Sequence, residues 1–466
     1  MPNDCHKQQS FGIMGCIEKT ADNIGKAVVL PRKYSLARDV YDVFWERYKK
    51  HPDRRLFLED KHVEAVNKSR VCQTKTLGYA VFGCADCGTA KYVYASCKHR
   101  FCARCGAAET HRWAENKMYK VLNIKHSHIV MTLPAWLRGL AFANQTAVFG
   151  AMFRAAAAVL QDYFQYKYSL ECGIVAVLHT AGSDLKRHPH LHLLVTWGGQ
   201  SPPQSPRSGD EKQRGEIVEL SEKYLMNHRF LARRWQHTLQ TALIDLYDKG
   251  QLKTGKTVRN RIDFLSFIKS QNKENAVKND SIKSGWIVSI QPPLCDAESI
   301  IRYIGRYTKR ACLSERKIVK IAGDRITIQY NDYKNTPRGE APKQGFKTFS
   351  YVTFLDSLLQ HVPEKGFQQV RYYGIYSSQK INKLPESKRL PVKNEVTISE
   401  EFLPADSPFY AMRKSAIVRG AADPLCCKDC GCTMQLVQTV AATTKPKPAL
   451  PFAVWRRQQA VFTDTS

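Results

Sequence analysis

The sequence predicts an α+β fold that carries a small, metal-stapled module near its N-terminal end. Two observations lead to this fold class. Strand-like and helix-like runs alternate through the middle of the chain, and six cysteines fall within residues 72–113. At about 150 residues per domain, a chain of 466 residues corresponds to about three folding units.

Composition and charge narrow the functional classes. The chain has 71 Lys and Arg residues against 42 Asp and Glu residues, so its net charge is +29, and 43% of its residues are hydrophobic. Such a chain buries enough apolar surface to fold, which excludes disorder throughout. The positive charge favours a polyanionic partner, above all nucleic acid, over a solvated basic surface that selects nothing.

The sequence indicates a cytoplasmic protein without membrane contact. No apolar run reaches the roughly 18 residues that a membrane span needs, and no basic-then-apolar signal begins the chain. In a reducing compartment, the 15 cysteines are expected to be metal ligands or buried thiols rather than disulfides.

Periodicity justifies the individual elements in chain order. Residues 1–35 are weakly patterned, and an amphipathic helix is predicted over 37–50. Strands are predicted at 128–133, 173–180, 190–197 and 286–291, with a hairpin over 318–330 around Gly323 and Asp324. Helices are predicted at 137–168, at 221–249 with Ser221 as its cap, at 297–310 and towards the end of 348–361. The Lys-rich residues 250–283 lack a clear period and are interpreted as an insertion or mobile arm.

Paired histidines on the predicted strand 190–197 indicate a cation site. Residues i and i+2 of a strand share one face, so His190 and His192 present two imidazoles side by side. Two imidazoles with oxygen ligands suit a divalent cation, and His188 and His179 lie near enough in sequence to add ligands or support. The alternative is that both histidines simply face solvent.

Two tyrosines one helical turn apart form a second candidate group. Tyr303 and Tyr307 share a helix face and are surrounded by cationic side chains suited to phosphate contacts, namely Arg302, Arg306, Lys309 and Arg310. A tyrosine can attack a phosphodiester when a metal polarises the phosphoryl oxygens, which leaves a 5′-phosphotyrosine and a free 3′-hydroxyl. The alternative is that these aromatic residues are part of the core.

Two cysteine pairs predict a structural zinc site. Cys84-X2-Cys87 and Cys102-X2-Cys105 each offer two thiolates. Cys97 and His99 lie between the pairs and are alternative ligands, of which we include Cys97 in the predicted set, and Cys72 is farther away and less favoured. Zinc here would hold basic side chains against DNA, namely Lys98, Arg100, Arg104 and Arg112. A further pair, Cys427-X2-Cys430, lacks half of a ligand set unless Cys426 and Cys432 or another element complete it.

The order of these motifs resembles the two-tyrosine branch of the HUH endonuclease superfamily. It is more similar still to bacterial rolling-circle transposases of the insertion-sequence ninety-one group, which are relatives of the Helitron transposases. Five stretches carry the resemblance from about residue 70 to about 375: residues 96–105, 128–134, 188–192 with Gly198 and Gly199, 303–310 and 361–374.

The resemblance implies a fold and roles for the residues. The fold is a central antiparallel sheet with flanking helices, a ferredoxin/RRM-like palm, joined to a zinc-ribbon-like module. The metal pair is His190 and His192, and the nucleophiles are Tyr303 and Tyr307. A third metal ligand is open among His179, His188 and Asp184, and we include His188 in the predicted set.

Five regions are predicted from these assignments. They are a leader and helix (1–70), a zinc-binding DNA-contact module (71–120), a catalytic domain with the Lys-rich insertion (121–335), a helical and strand extension (336–420), and a Cys knuckle with a basic tail (421–466).

The predicted function is transfer of single DNA strands in rolling-circle transposition of an insertion sequence. It would use Mg²⁺ or Mn²⁺ at the histidine pair and Zn²⁺ at the cysteines, with single-stranded or hairpin DNA ends as partner and no small-molecule substrate. The protein is expected near the bacterial nucleoid, and a homo-oligomer is left open. The alternatives are a rolling-circle replication initiator, a non-enzymatic zinc-ribbon DNA-binding protein and a metallo-hydrolase without a covalent intermediate.

Overall fold

The structure is a computed structural model of the chain, and it describes most residues between 36 and 442. The described residues are 36–105, 121–202, 215–221, 226–276, 285–292, 311–333, 335–337, 340–385, 387, 389 and 423–442. Within these ranges, no helix is long and apolar enough to cross a lipid bilayer. The predicted helix over 297–310 lies outside the described residues.

The described elements confirm a mixed α+β fold. The helices are α1 (Leu36–Lys49), α2 (Asp60–Val71), α3 (Arg138–Ala143), α4 (Gln145–Tyr168), α5 (His228–Asp248), α6 (Arg261–Ala276) and α7 (Tyr351–Leu359). The strands are β1 (Tyr79–Gly83), β2 (Ala90–Tyr94), β3 (His126–Thr132), β4 (Gly173–Ala181), β5 (Arg187–Thr196), β6 (Gly198–Gln200), β7 (Ile217–Glu219), β8 (Val288–Ile290), β9 (Ile318–Ala322), β10 (Arg325–Asp332), β11 (Lys343–Ser350), β12 (Val370–Gly374) and β13 (Gln435–Val440).

The central sheet has five strands in the order β12-β4-β5-β3-β8, and every neighbouring pair is antiparallel. The histidine-bearing strand β5 lies in the middle, between β4 and β3. Most of β5 is buried. Leu193 joins an apolar cluster on one face of the sheet, and Leu194 joins a second cluster on the other face. The prediction of a central antiparallel sheet with flanking helices is therefore confirmed.

One face of this sheet packs against α4 and α5. Leu191 and Leu193 of β5 join a large apolar cluster with Phe153 of α4 and Trp235 of α5. Because the side chains of a strand alternate, the histidines of β5 lie on the other face. Helix α5 begins later than predicted, since Asn227 and not Ser221 caps it by accepting from the backbone N–H groups of Arg229 and Phe230.

Helix α6 corrects the prediction that residues 250–283 have no clear period and form a mobile arm, while their being an insertion stays a prediction. Phe264 and Ile268 are fully buried against the main core, and the Phe264 ring stacks on Tyr247 with centroids 4.2 Å apart. The spacing of four residues places both side chains on one helix face. The many lysines of the segment concealed this short apolar pattern.

The N-terminal helix packs on a second sheet, of order β11-β10-β9, together with α7. Phe44 of α1 stacks on Tyr351 of α7 with ring centroids 4.9 Å apart. The predicted hairpin is confirmed, and Gly323 at its turn has a φ of +53°, in the left-handed region that glycine enters without strain.

A third sheet, of order β13-β1-β2, joins the N-terminal hairpin β1–β2 to the last described strand, β13. Strand β13 pairs antiparallel with β1, from Tyr79 opposite Val440 to Gly83 opposite Gln435. Beneath it, Ala80 and Phe82 pack against Leu425 and Met434.

Replacing Phe264 with alanine tests the packing of α6. Since the ring is fully buried, we expect Phe264→Ala to lower the free energy of unfolding by about 3–5 kcal/mol. The matched control is Ile262→Ala on the same helix, which removes a side chain that is 77% exposed. This variant should change the free energy of unfolding by less than about 0.5 kcal/mol. Denaturant unfolding measures both variants, and equal small effects would contradict the packing of α6.

Candidate functional site

Three histidines meet on the face of the central sheet opposite α4 and α5. His190 and His192 share that face of β5, and the register of β4 sets His179 directly opposite His190. A ring nitrogen from each of the three lies within 4.8 Å of the others, and the Nε2 atoms of His190 and His192 are 3.1 Å apart. The structure thus brings the predicted pair together and adds His179.

Burial keeps these imidazoles neutral. It lowers the pKa of His190 to about 4, and it also lowers the pKa of His192 below the ordinary range, with further lowering by neighbouring histidines. Burial likewise lowers the pKa of His179, and the charge of Arg100 acts in the same direction. The neutral form is the one that offers a lone pair to a metal ion.

Hydrogen bonds orient the two imidazoles of β5. The Nδ1 atom of His190 lies 2.6 Å from the backbone carbonyl oxygen of His188, to which its N–H donates, so Nε2 carries the lone pair. The Nδ1 atom of His192 lies 2.9 Å from Nε2 of His128, on β3, and the two rings are stacked. Both Nε2 atoms of β5 are thereby directed at one another.

The structure places His188 and Asp184 outside this group. The guanidinium of Arg138 donates to Nδ1 of His188 at 2.8 Å. Asp184 lies 2.8 Å from the Lys186 ammonium, in an ion pair at the turn between β4 and β5. The strand register therefore groups His179, and not the predicted His188, with His190 and His192, while the identity of a third metal ligand stays a prediction.

His128 is a member of the site that the sequence analysis missed. It is buried, and burial lowers the pKa of its imidazole. The signal was present in the sequence, because His126 and His128 repeat on β3 the alternation that identified His190 and His192. The predicted nucleophiles and phosphate contacts, by contrast, lie outside the described residues: Tyr303, Tyr307, Arg302, Arg306, Lys309 and Arg310.

The predicted zinc ligands divide between two groups instead of forming one. The first group is Cys72, Cys97, Cys102 and Cys105, and the second is Cys84, Cys87, Cys427 and Cys430. Cys72, at the end of α2, and the predicted Cys97 thus complete the group of Cys102 and Cys105 in place of Cys84 and Cys87. The reason is chain geometry, because the β1–β2 hairpin carries Cys84 and Cys87 away from Cys102 and towards β13.

The first cysteine group, Cys72, Cys97, Cys102 and Cys105, brings its sulfur atoms close together. The N–H of Cys97 donates to Sγ of Cys72 at 3.4 Å, and the sulfurs of Cys97 and Cys105 are 3.7 Å apart. Zinc with four thiolates at about 2.3 Å needs sulfurs about 3.8 Å apart, so this group fits the ion.

The basic residues around this group are only partly available to DNA. Lys98 is exposed, but Arg104 donates to the Cys72 carbonyl oxygen at 3.0 Å and lies 3.5 Å from Glu315. Burial lowers the pKa of Arg100 to about 9. Arg112 lies outside the described residues, and His99 is not part of the cysteine group.

Comparisons with known proteins identify the family regions and relatives that this chain matches. A family model described as "Putative transposase" matches residues 173–383, and one described as "Transposase zinc-binding domain" matches residues 40–133. The protein named "Putative transposase y4qJ" from Sinorhizobium fredii is 28% identical over 375 residues, which are 78% of this chain and 88% of that protein. The "Transposase for insertion sequence element IS801" from Pseudomonas savastanoi pv. phaseolicola is 27% identical over 394 residues, 83% of this chain and 86% of that protein.

No solved structure matches the chain significantly. The two matched regions include the histidine strands β4 and β5 and the first cysteine group, and the matches identify a transposase with a zinc-binding domain. More narrowly, the chain belongs to the transposases of the insertion-sequence ninety-one group.

Removing His179 tests the composition of the histidine group. We expect His179→Ala to weaken Mn²⁺ binding by more than about 10-fold, because one of three nitrogen donors is lost. His188→Ala should cause a smaller loss, since Arg138 already occupies Nδ1 of that ring. Titration with Mn²⁺ followed by electron paramagnetic resonance measures both, and a greater loss in His188→Ala would contradict the assignment.

Removing Cys72 tests the first cysteine group. After dialysis against a chelator, Cys72→Ser should retain one zinc fewer per chain than the unchanged protein, because the tetrahedral set is broken. Cys172→Ser, which replaces a buried cysteine outside both groups, and His99→Ala should retain the full content. Elemental analysis measures zinc, and loss of zinc in His99→Ala but not in Cys72→Ser would refute this ligand set.

Proposed function

We propose that this transposase cleaves and transfers single DNA strands by a metal-dependent HUH mechanism with a 5′-phosphotyrosine intermediate. The observation that carries the proposal is the group of three neutral imidazoles on adjacent strands of the central sheet. This cleavage and transfer would be the chemical step of rolling-circle transposition of an insertion sequence. The sequence motifs and the family membership support it.

The spacing of the two β5 nitrogens fits octahedral Mg²⁺ or Mn²⁺. Adjacent ligands of an octahedral ion with bonds of about 2.1 Å lie about 3.0 Å apart, and the Nε2 atoms of His190 and His192 are 3.1 Å apart. Three imidazoles leave other coordination positions for water and phosphate oxygens. When bound, the ion would stabilise the charge that develops on the phosphoryl oxygens.

The proposed nucleophile is the phenol oxygen of Tyr303 or Tyr307. Its attack forms a bond between oxygen and phosphorus and breaks the bond from phosphorus to the 3′-oxygen of the preceding nucleotide. The proton that the phenol releases balances the proton that the 3′-hydroxyl gains. Attack by a 3′-hydroxyl on the phosphotyrosine reverses the exchange, joins the strand and restores the phenol without ATP.

The described residues on both sides of the tyrosine segment support its approach to the histidines. Before it, the N–H of Gln291 donates to the His128 carbonyl oxygen at 3.0 Å. After it, Leu313 belongs to the same buried cluster as Leu185, in the turn between β4 and β5. The chain therefore enters the segment beside β3, and after the segment it joins the buried cluster to which the β4–β5 turn contributes.

The proposed substrate is a single-stranded or hairpin end of a mobile element in the bacterial cytoplasm. The net charge of +29 supplies attraction to phosphates that does not depend on sequence. Arg302, Arg306, Lys309 and Arg310 are the proposed contacts beside the nucleophiles. Affinity should accordingly fall steeply as salt increases.

A covalent adduct tests the proposal. With labelled single-stranded element ends and Mn²⁺, we expect a protein–DNA species that survives denaturation. Tyr303→Phe with Tyr307→Phe should abolish it, because phenylalanine has no oxygen to attack phosphorus. His190→Ala with His192→Ala should abolish the adduct but largely spare DNA binding, because those side chains are metal donors.

A matched control keeps the chemistry separate from folding. Tyr166→Phe removes a hydroxyl from a side chain that is 93% exposed, and it should leave the adduct unchanged. Gel electrophoresis in denaturant and a filter-binding assay measure adduct and affinity in parallel. An adduct that persists in the double tyrosine variant would refute the proposed nucleophiles, and DNA binding without any adduct would favour a non-enzymatic protein.

A further inference from the structure

The second cysteine group, Cys84, Cys87, Cys427 and Cys430, unites residues from opposite ends of the chain. Sγ of Cys84 lies 3.3 Å from Sγ of Cys430, and Sγ of Cys87 lies 3.5 Å from Sγ of Cys427. All four cysteines are reduced. Four sulfurs in such a group have the donor chemistry of a tetrahedral structural zinc site.

The two halves of this group are built alike. The sequences are Cys-Ala-Asp-Cys-Gly at 84–88 and Cys-Lys-Asp-Cys-Gly at 427–431. In each, the glycine N–H donates to the carbonyl oxygen of the first cysteine at 3.0 Å. Gly88 and Gly431 have φ values of +71° and +81°, which favour glycine. Two equivalent turns thus present two thiolates each to a common point.

Only half of the group, Cys84 and Cys87, lies inside the zinc-binding family region. That region matches residues 40–133, and the transposase region matches 173–383, so neither includes Cys427 or Cys430. Cys72, Cys97, Cys102 and Cys105 form a complete set without them. The protein therefore has the ligands for two separate ions.

Contacts around the group join the C-terminal segment to the N-terminal hairpin. Thr89 donates to the Asp429 carboxylate at 2.6 Å, and the Lys91 ammonium donates to the Pro424 carbonyl oxygen. The apolar core between the two parts is small, with Leu425 and Met434 as its main C-terminal members. A small core requires an additional cross-link, because its hydrophobic burial offsets little of the conformational entropy lost when a distant segment docks.

We propose that Cys84, Cys87, Cys427 and Cys430 bind a second Zn²⁺, which fastens residues 423–442 onto the N-terminal hairpin and completes its sheet with β13. The site is structural, since all four positions of the tetrahedron are taken by the chain. It does not depend on the strand-transfer chemistry proposed above.

Zinc content of the full-length protein tests the site. We expect two zinc ions per chain in the unchanged protein and one in Cys427→Ser with Cys430→Ser. Cys426→Ser should retain two, because Sγ of that neighbouring cysteine donates to the Gly431 carbonyl oxygen and lies outside the group. Native mass spectrometry counts the ions, and one ion in the unchanged protein, or two in the double variant, would overturn the proposal.

Replacing one cysteine ligand with histidine distinguishes loss of a zinc ligand from a general failure to fold. Histidine is itself a zinc ligand, so Cys430→His should restore the second ion that Cys430→Ser loses. Retention of the first ion shows that the rest of the module is intact. If Cys430→Ser keeps the second ion, or if Cys430→His binds no more zinc than Cys430→Ser, the ligand assignment is wrong.

Hydrogen exchange tests the fastening of the segment. Amide groups of β13 that pair with β1 should exchange at least 10-fold faster in Cys427→Ser with Cys430→Ser than in the unchanged protein. In Cys426→Ser, the exchange rates of the same amide groups should stay within 3-fold of those in the unchanged protein. Unchanged protection of β13 in a variant that has lost the second ion would show that zinc does not hold the segment.

Discussion

The pairing register of β4 and β5 is the constraint on which the candidate metal site depends. It sets His179 opposite His190, and alternation along β5 adds His192 to the same face. A slip by one residue would turn the β5 imidazoles towards the helices and expose Leu191 and Leu193. One alternating pattern along β5 therefore specifies both the face that joins the hydrophobic core and the face that carries the histidines.

Burial supplies the chemistry that register alone cannot. Charged imidazoles this close would repel one another, but removal from water favours the neutral form and lowers the pKa of His190 to about 4. The His188 carbonyl oxygen and His128 then fix the directions of the two β5 rings. A donor set that is already neutral and oriented loses little freedom when an ion binds.

Short-range patterns predicted the elements well, but they could not assign ligands. Strand β5, helix α1 and the turn at Gly323 follow from alternation, helical spacing and a left-handed glycine. Three C-X2-C pairs look identical in sequence, however, and pairing between Cys87 and Cys427 spans 340 residues. The choice of His179 over His188 likewise rests on which residues two strands place side by side. Such information resides in tertiary contacts, which local spacing does not encode.

The cysteine module is joined to the histidine strands and does not stand apart from them. Phe101, which precedes Cys102 of the first cysteine group, belongs to the same buried cluster as Leu185, in the turn between β4 and β5. The charge of the adjacent Arg100 adds to the effect of burial in lowering the pKa of His179. The segment that carries the cysteines and the turn that joins the histidine strands therefore rest on one hydrophobic cluster, although the two groups share no side chain.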